Sequence, residues 1–257
     1  MPSSLLLSVV QTGIFIILWL PHAFAGNGDD MDSRKLKKNY PQASYAALKH
    51  VSGYTFSYDK RINNLVVSNT EQTEIINLKG NTTEVFTWFY DDNSSLETTI
   101  FADKKGKKLY TEKLCGNYEV NDIFYSDAKV CAHRLALTNI GEIVSIDVKK
   151  IYTDSRYLTR VFFHEDYPAL EREIYFSVPK GVDVQFKEIN CEGYPLEKTV
   201  TPEKDGATDI YRFVLKAIPA FKKEENTTGH IRTYPHLLIL TKGYTYTGQT
   251  HDRIIFG

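Results

Sequence analysis

The residues best suited to chemistry in this chain of 257 residues include three cysteines, Cys115, Cys131 and Cys191. An odd number allows at most one internal disulfide and leaves one thiol. Cys115 and Cys131 flank a predicted hairpin and could pair, which would stabilise the fold by about 3 kcal/mol for a loop of that size. We expect semi-buried thiols at all three positions and leave this pairing open.

A second group is His164-Glu165-Asp166, in which an imidazole and two carboxylates could hold a cation. Successive side chains of an extended chain diverge, and Tyr167-Pro168 follows directly. We therefore predict a connecting turn. The cysteines lack a C-x-x-C spacing, and we expect His133 to lie on the opposite strand face from Cys131, so no zinc site is predicted.

A nucleophilic cysteine paired with a histidine is the third chemical option. Such thiols gain reactivity from a helix N-terminus, whereas all three cysteines lie in predicted strands or turns. The sequence also contains no P-loop, G-x-G-x-x-G turn, G-x-S-x-G elbow or H-E-x-x-H motif. We predict no catalytic residue, no cofactor-binding residue and no metal ligand, and hence a chain that is not an enzyme and needs no cofactor.

The elements that must position these residues are strands. Segments 142–152, 157–164, 171–178 and 182–189 alternate apolar and polar residues, which is typical of strands with one buried face. Pro179-Lys180-Gly181 is interpreted as a hairpin turn. The abundant aromatic residues, 17 Tyr and 14 Phe, also favour strands. The predicted fold is all-β and mainly antiparallel, a large β-sandwich-like domain with little helix.

Further strands are predicted on both sides of this stretch. Two hairpins are expected, one of 96–102 with 108–114 and one of 118–125 with 129–137, and the remaining strands are 44–50, 53–59, 62–68, 73–79, 84–90 and 236–241, with a further strand-length segment in 209–221. The predicted core residues are Phe86, Trp88, Ile143, Ile146, Val161, Phe163, Ile174, Phe176, Val178, Tyr211, Phe213, Leu238 and Leu240. Ile143 and Ile146 would need a bulge between them to share a face.

The ends of the chain differ from this strand-rich region. Residues 5–20 are apolar and are followed by Ala23-Phe24-Ala25, which predicts a signal peptide over 1–25, with an uncleaved anchor as the alternative. Residues 26–36 are predicted to be a polar arm or short helix. Residues 242–257 are expected to be a poorly packed tail or the start of a missing downstream region. No later segment is apolar enough to span a membrane, and the formal net charge of −1 argues against nucleic-acid binding.

Several short motifs occur in a consistent order: Lys37-Lys38-Asn39-Tyr40-Pro41, Phe89-Tyr90-Asp91, Gly141-Glu142, Phe162-Phe163, Tyr167-Pro168, Val178-Pro179-x-Gly181, Ile218-Pro219-Ala220 and Pro235-His236-Leu237. Over residues 37–241 the pattern resembles the domain of unknown function that precedes the transglutaminase-like core in exported proteins of Gram-negative bacteria. The resemblance implies a β-sandwich-type fold, a periplasmic or cell-envelope location, and a downstream papain-like Cys-His-Asp core. This chain stops at Gly257, where that core would begin, so no catalytic role is carried over to it.

The leading functional hypothesis is an exported, non-catalytic β-domain that supports or docks a transglutaminase-like partner or another protein or peptide ligand. A cysteine-dependent hydrolase or acyltransferase is the first alternative. The second is a carbohydrate-binding module that presents Trp88, Tyr90, Tyr244 and Tyr246, although aromatic residues at alternate strand positions are more often part of a core.

Overall fold

A computed structural model describes residues 28–118, 127–204, 206–221, 230–246 and 249–252. The all-β, mainly antiparallel class is confirmed. The helices are α1 (Gly28–Asn39) and the short α2 (His230–Thr233), with a 3-10 turn at Ser155–Tyr157. The strands are β1 (Tyr45–Asp59), β2 (Asn64–Asn77), β3 (Thr82–Tyr90), β4 (Ser94–Asp103), β5 (Glu112–Asn117), β6 (Lys129–Leu137), β7 (Ile143–Tyr152), β8 (Arg160–Phe162), β9 (Ala169–Pro179), β10 (Val182–Ile189), β11 (Glu197–Pro202), β12 (Thr208–Ile218), β13 (His236–Tyr246) and β14 (Gln249–Asp252).

These strands form one large and two small sheets. The large sheet has the order β11-β12-β9-β1-β2-β7-β4. The first small sheet is β3-β6-β5, and the second is β10-β13-β14 with β8 paired to β13. The pairing of β1 with β9 is parallel, and every other strand pairing within the described residues is antiparallel.

Both small sheets cover the same face of the large sheet, which we call the inner face. The second small sheet packs Leu237 and Ile239 onto Phe176 and Phe213 of the large sheet in one apolar core. The first small sheet packs onto the other half of the inner face in a second core, formed by Tyr45, Ile75, Phe86, Phe101, Leu135, Leu137, Val144, Ile146 and Val148. The fold is therefore a double sandwich that shares one large sheet.

Helix α1 covers part of the outer face of the large sheet. Its Leu36 is 3% exposed and packs against Ala46, Ile76 and Ile143. Of the two expectations for residues 26–36, a polar arm or a short helix, the structure has the helix, because the described part of this segment belongs to a helix that continues to Asn39 and contributes an apolar residue to the fold. Within the described residues, no helix is long and apolar enough to cross a membrane.

A bulge near Leu48 interrupts the regular pairing of β1 with β2. The register of β1 against β2 shifts between Ala47 and Lys49, so the inward side chains change from odd to even positions at that point. The sequence predicts two strands, 44–50 and 53–59, where the structure has the single strand β1. The segments 62–68 and 73–79 are likewise joined in β2.

The turn at Pro179-Lys180-Gly181 is a corner between two sheets. β9 ends in the large sheet and β10 begins in the second small sheet, where it pairs with β13. Gly181 has a φ of 99°, which suits glycine at such a turn. The predicted hairpin is wrong because alternation predicts strands without identifying their partners.

Another predicted hairpin also differs from expectation. After β4 the chain makes one bridge back, between Lys108 and Ala102, and then leaves to form β5. β5 pairs with β6 in the first small sheet, so the pairing of 96–102 with 108–114 is wrong beyond that bridge. For the predicted hairpin of 118–125 with 129–137, residues 119–125 lie outside the described residues, and the described partners of β6 are β3 and β5. Of the predicted strand 157–164, Arg160–Phe162 is extended in a ladder.

Most predicted core residues are buried in the structure: Phe86, Ile143, Ile146, Val161, Phe163, Ile174, Phe176, Val178 and Phe213. Trp88 and Tyr211 are partly buried and pack against the cores. Ile143 and Ile146 need no bulge, because Ile143 packs beneath α1 on the outer face and Ile146 packs on the inner face. The prediction that Leu238 and Leu240 belong to the core is wrong, because they are 37% and 36% exposed.

The chain beyond residue 241 is part of the second small sheet. β13 continues to Tyr246, its Tyr244 pairs with Val182, and β14 pairs back onto its end. The expected poorly packed tail over 242–257 is therefore corrected for residues 242–246 and 249–252. The signal peptide predicted over 1–25 and the end of the tail, 253–257, lie outside the described residues.

Candidate functional site

A cleft of about 500 Å³ opens at one end of the large sheet. It is formed by the segment before β1, the segment before β9 and the segment after β12. Because β1 and β9 are parallel and β12 is antiparallel to β9, these three segments meet at one edge. Its lining residues are Asn39, Tyr40, Pro41, Gln42, Ala43, Ser44, Tyr45, Asp166, Tyr167, Pro168, Pro219, Ala220 and Phe221.

Aromatic and proline side chains dominate the walls of the cleft. The rings of Tyr45 and Tyr167 lie 5.2 Å apart, and Tyr45 also packs on Phe86 at 5.4 Å. Across the cleft, Phe221 is fixed through its backbone N–H, which donates to the Glu165 carbonyl at 2.8 Å. Such surfaces suit extended, proline-rich or aromatic chains. The cleft also has the size of a typical ligand site.

The loop between β8 and β9 sends His164, Glu165 and Asp166 in three directions. His164 is 1% exposed and lies among the rings of Tyr194 and Tyr234, with centroid distances of 5.8 and 5.0 Å. Burial lowers its pKa to about 4. Glu165 faces His50, and exposed Asp166 lines the cleft. The predicted connecting turn describes this geometry, and no cluster of His, Cys, Asp or Glu in the described residues could hold a metal ion.

A band of polar side chains lies behind Tyr167 on the inner face, between the two apolar cores. The strand registers place Arg172 beside His50 and Glu71 beside Ser52. His50, Ser52 and Arg172 are at most 4% exposed. In the described chain, His50 Nε2, Ser52 Oγ and Arg172 Nε have no hydrogen-bond partner. Buried polar atoms of this kind are commonly satisfied by ordered water.

The polar band is connected to the cleft through Tyr167 and Glu165. The Tyr167 hydroxyl lies 3.1 Å from His50 Nδ1, and Glu165 Oε1 lies 3.9 Å from the same nitrogen. Burial raises the pKa of Glu165 to about 7; Arg172 opposes the shift, and Glu71 adds to it. Burial and the Arg172 charge hold the pKa of His50 well below its usual range. Near neutral pH, therefore, His50 is uncharged and Glu165 titrates.

Two of the cysteines form a second arrangement, in the first small sheet. Cys115 and Cys131 are directly opposite on β5 and β6 and form a disulfide, so the expectation of three thiols is corrected. His133 shares a face with Cys131, since residues two apart in a strand point the same way. Its Nε2 lies 3.9 Å from Cys131 Sγ, and its Nδ1 lies 2.9 Å from Thr111 Oγ1. The expectation that His133 faces away from Cys131 is wrong.

The remaining candidates from the sequence do not converge. Burial raises the pKa of the Cys191 thiol, which makes it a poor nucleophile. Trp88 packs on the core beneath the first small sheet, whereas Tyr244 packs on the core beneath the second. Trp88 and Tyr244 therefore do not form one carbohydrate platform, and the side chain of Tyr246 lies outside the described residues.

The cleft was missed because its residues belong to no periodic pattern. A signal was nevertheless present, since three of the short motifs named above contribute lining residues: 37–41, 167–168 and 218–220. Prolines and aromatic residues at the ends of strands have no need to be buried in a core. Their recurrence next to three separate strands is what could have predicted a common surface.

Fold and site together define an all-β domain in which two small sheets cover a large one and an aromatic cleft opens at one edge. The model of DUF3857, described as a domain of unknown function with a solved structure, matches residues 63–222. The chain belongs to this family. The predicted resemblance to a domain of unknown function is thereby confirmed, and its association with a transglutaminase-like core stays a prediction.

One solved structure shows the same fold, and a second is a weaker match. A "putative protease" from Parabacteroides distasonis is 15% identical with a TM-score of 0.51, and the match covers 76% of this chain and 40% of that one. An M1 zinc metallopeptidase from Deinococcus radiodurans is 10% identical with a TM-score of 0.41, over 77% of this chain and 42% of that one. The first match shows the fold alone, and the second is too weak to carry an argument. No curated protein shows a significant match.

Proposed function

We propose that this chain is a non-catalytic binding domain that holds a protein or peptide segment for a peptidase-type or transglutaminase-like catalytic unit. The observation that carries the proposal is the cleft, whose aromatic and proline walls come from three segments around Tyr40, Tyr167 and Phe221. Apolar grooves of this kind bind extended peptides by contact with side chains. An exported or cell-envelope location is part of the proposal.

The fold comparison supports an accessory role. The match covers 40% of the protein named "putative protease", so more than half of that protein lies outside the matched region. In the described residues near the cleft, His50 is buried behind Tyr167, and His164 is buried among aromatic rings. We infer that chemistry on a bound segment is supplied by another domain or protein.

The proposal is tested with a library of peptides that carry a photoreactive group. Binding at the cleft predicts crosslinks, mapped by mass spectrometry, within residues 39–45, 166–168 and 219–221. A purified transglutaminase-like domain added in trans is expected to crosslink to, or compete for, the same residues. Crosslinks concentrated elsewhere, or no crosslinks above those of unfolded chain, would contradict the proposal.

A cysteine-dependent hydrolase or acyltransferase is the second candidate, because one observation favours it. Cys131, His133 and Thr111 have the order of a nucleophile, a base and an orienting group. The sulfur is, however, 1% exposed and bound to Cys115. An activity probe for nucleophilic thiols, applied with and without reductant, decides between the two: labelling of Cys131 after reduction that is lost in His133→Ala would support the enzyme.

A further inference from the structure

Among the described residues, the cleft carries one negative charge, on Asp166, that has no cationic partner. Asp166 is exposed and is the ionisable acid among the lining residues. No salt bridge or side-chain hydrogen bond to a cation is formed by Asp166 within the described part of the chain. A carboxylate in this position is available to a ligand.

Asp166 is the charged side chain among the described residues that line the cleft. Partial burial of the carboxylate raises the pKa of Asp166, and the Glu84 charge adds to the shift. Lys37 and Lys38 at the end of α1 are exposed and are not among the lining residues. Within the described residues, the mouth of the cleft is therefore acidic.

The acidic mouth lies beside the faces of aromatic rings. Tyr40, Tyr45, Tyr167 and Phe221 line the same cleft as Asp166. A carboxylate beside aromatic faces is the combination that attracts an ammonium or guanidinium group, through charge pairing and through the negative face of the ring. The apolar walls provide a surface for the methylene stem of such a side chain.

We propose that the cleft selects an extended peptide segment that carries a lysine or arginine side chain, with the cationic head at Asp166 and the stem between the aromatic walls. This proposal rests on the proposed function and names the ligand class of the same cleft. Charge complementarity identifies the occupant: an acidic segment would be repelled by Asp166, and a neutral segment would leave the Asp166 carboxylate unpaired.

The test uses a peptide from the photoreactive library, acetylated and amidated at its ends, in three versions with Lys, Gln or Glu at one position. Fluorescence anisotropy gives the dissociation constant of each version for the full chain. The Lys version is expected to bind about tenfold more tightly than the Gln version, the scale of one ion pair combined with a cation–π contact. The Glu version is expected to bind more weakly still.

Two variants separate a local contact from the overall charge. Asp166→Asn is expected to bind the Lys version about tenfold more weakly and to lose the preference for Lys over Gln. Glu203→Gln, which removes one negative charge at an exposed position in the turn between β11 and β12, should bind both versions as the parent does. Unchanged melting temperatures would show that both variants are folded.

The ligand class and the peptide-binding function can fail separately, and the two failures give different results. Equal affinity for the Lys and Gln versions, with crosslinks still in the cleft, would overturn the cationic ligand and leave the peptide-binding function intact. A Lys preference that survives in Asp166→Asn would also overturn the assignment. If no peptide crosslinks to the cleft, the proposed function fails, and the ligand class fails with it.

Discussion

The register of β13 can be tested by exchanging two neighbouring residues, because one points into a core and the other points to solvent. Ile239 is 3% exposed and packs between the second small sheet and the large sheet. Leu238 is 37% exposed. We expect Ile239→Ala to lower the free energy of unfolding by about 2–5 kcal/mol, the range for a buried aliphatic residue that leaves a cavity.

Leu238→Ala is the matched control, since it removes a side chain of equal carbon number from the adjacent position of the same strand. Because much of that side chain already contacts water, we expect a loss of less than about 1 kcal/mol. Urea unfolding of the full chain measures both values, with equal slopes required for the comparison. In a chain of this size, a loss of 3 kcal/mol corresponds to a melting temperature lower by about 6–12 °C.

Equal losses for the two variants, or a larger loss for Leu238→Ala, would refute the reasoning. That result would mean that β13 pairs one residue out of register with β10 and β8. The side chains of the second small sheet would then be reversed, with Leu238 and Leu240 inside, as expected from the sequence.

Three further predictions concern the disulfide, the polar band and the chain end. Replacing Cys115 and Cys131 with serine should cost about 3 kcal/mol in urea unfolding, given their separation of 16 residues, whereas Cys191→Ser should cost much less. The pKa of Glu165 is raised from 4.5 to about 7, so folding between these pH values takes up a proton, and the chain loses stability as the pH rises through that window. Glu165→Gln should flatten the dependence of the free energy of unfolding on pH. An unchanged dependence would contradict the shift. Deleting 243–257 should lower stability by more than about 1 kcal/mol, because the deletion removes β14 and the end of β13; an unchanged unfolding midpoint would restore the expectation of a free tail.

The parts of the fold predicted correctly are those in which one strand face meets a core and the other meets water. In β9, residues Ile174, Phe176 and Val178 are buried while the residues between them are partly exposed, and the sequence shows this alternation directly. In β13 the segment 236–241 is apolar at four successive positions, so it contains no alternation from which the inward residues could be identified. The register there depends on β8 and β10, which lie far away in the sequence.

The alternation of apolar and polar residues also gives wrong predictions where the chain passes to another sheet or where the buried face of a strand changes. The bulge at Leu48 moves the inward side chains of β1 from odd to even positions, so no single alternation runs through this strand. Ile143 is buried beneath α1 on the outer face of the large sheet, the face that alternation assigns to water. Both features follow from tertiary contacts, which can override the strand propensity of the local sequence.

The cleft depends on one tertiary feature in particular, the parallel pairing of β1 with β9. Ala47 pairs with Ala169, and Ala169 pairs in turn with Ile218 at the end of β12. If β1 and β9 were antiparallel, the segment before β1 would lie at the opposite edge of the sheet from the segment before β9, and Tyr40 and Tyr167 could not line one surface. Parallel strands require a long crossover, and more than a hundred residues separate these two, so no local pattern predicts their orientation. The order of the strands in the large sheet, rather than any single motif, therefore assembles the candidate binding site.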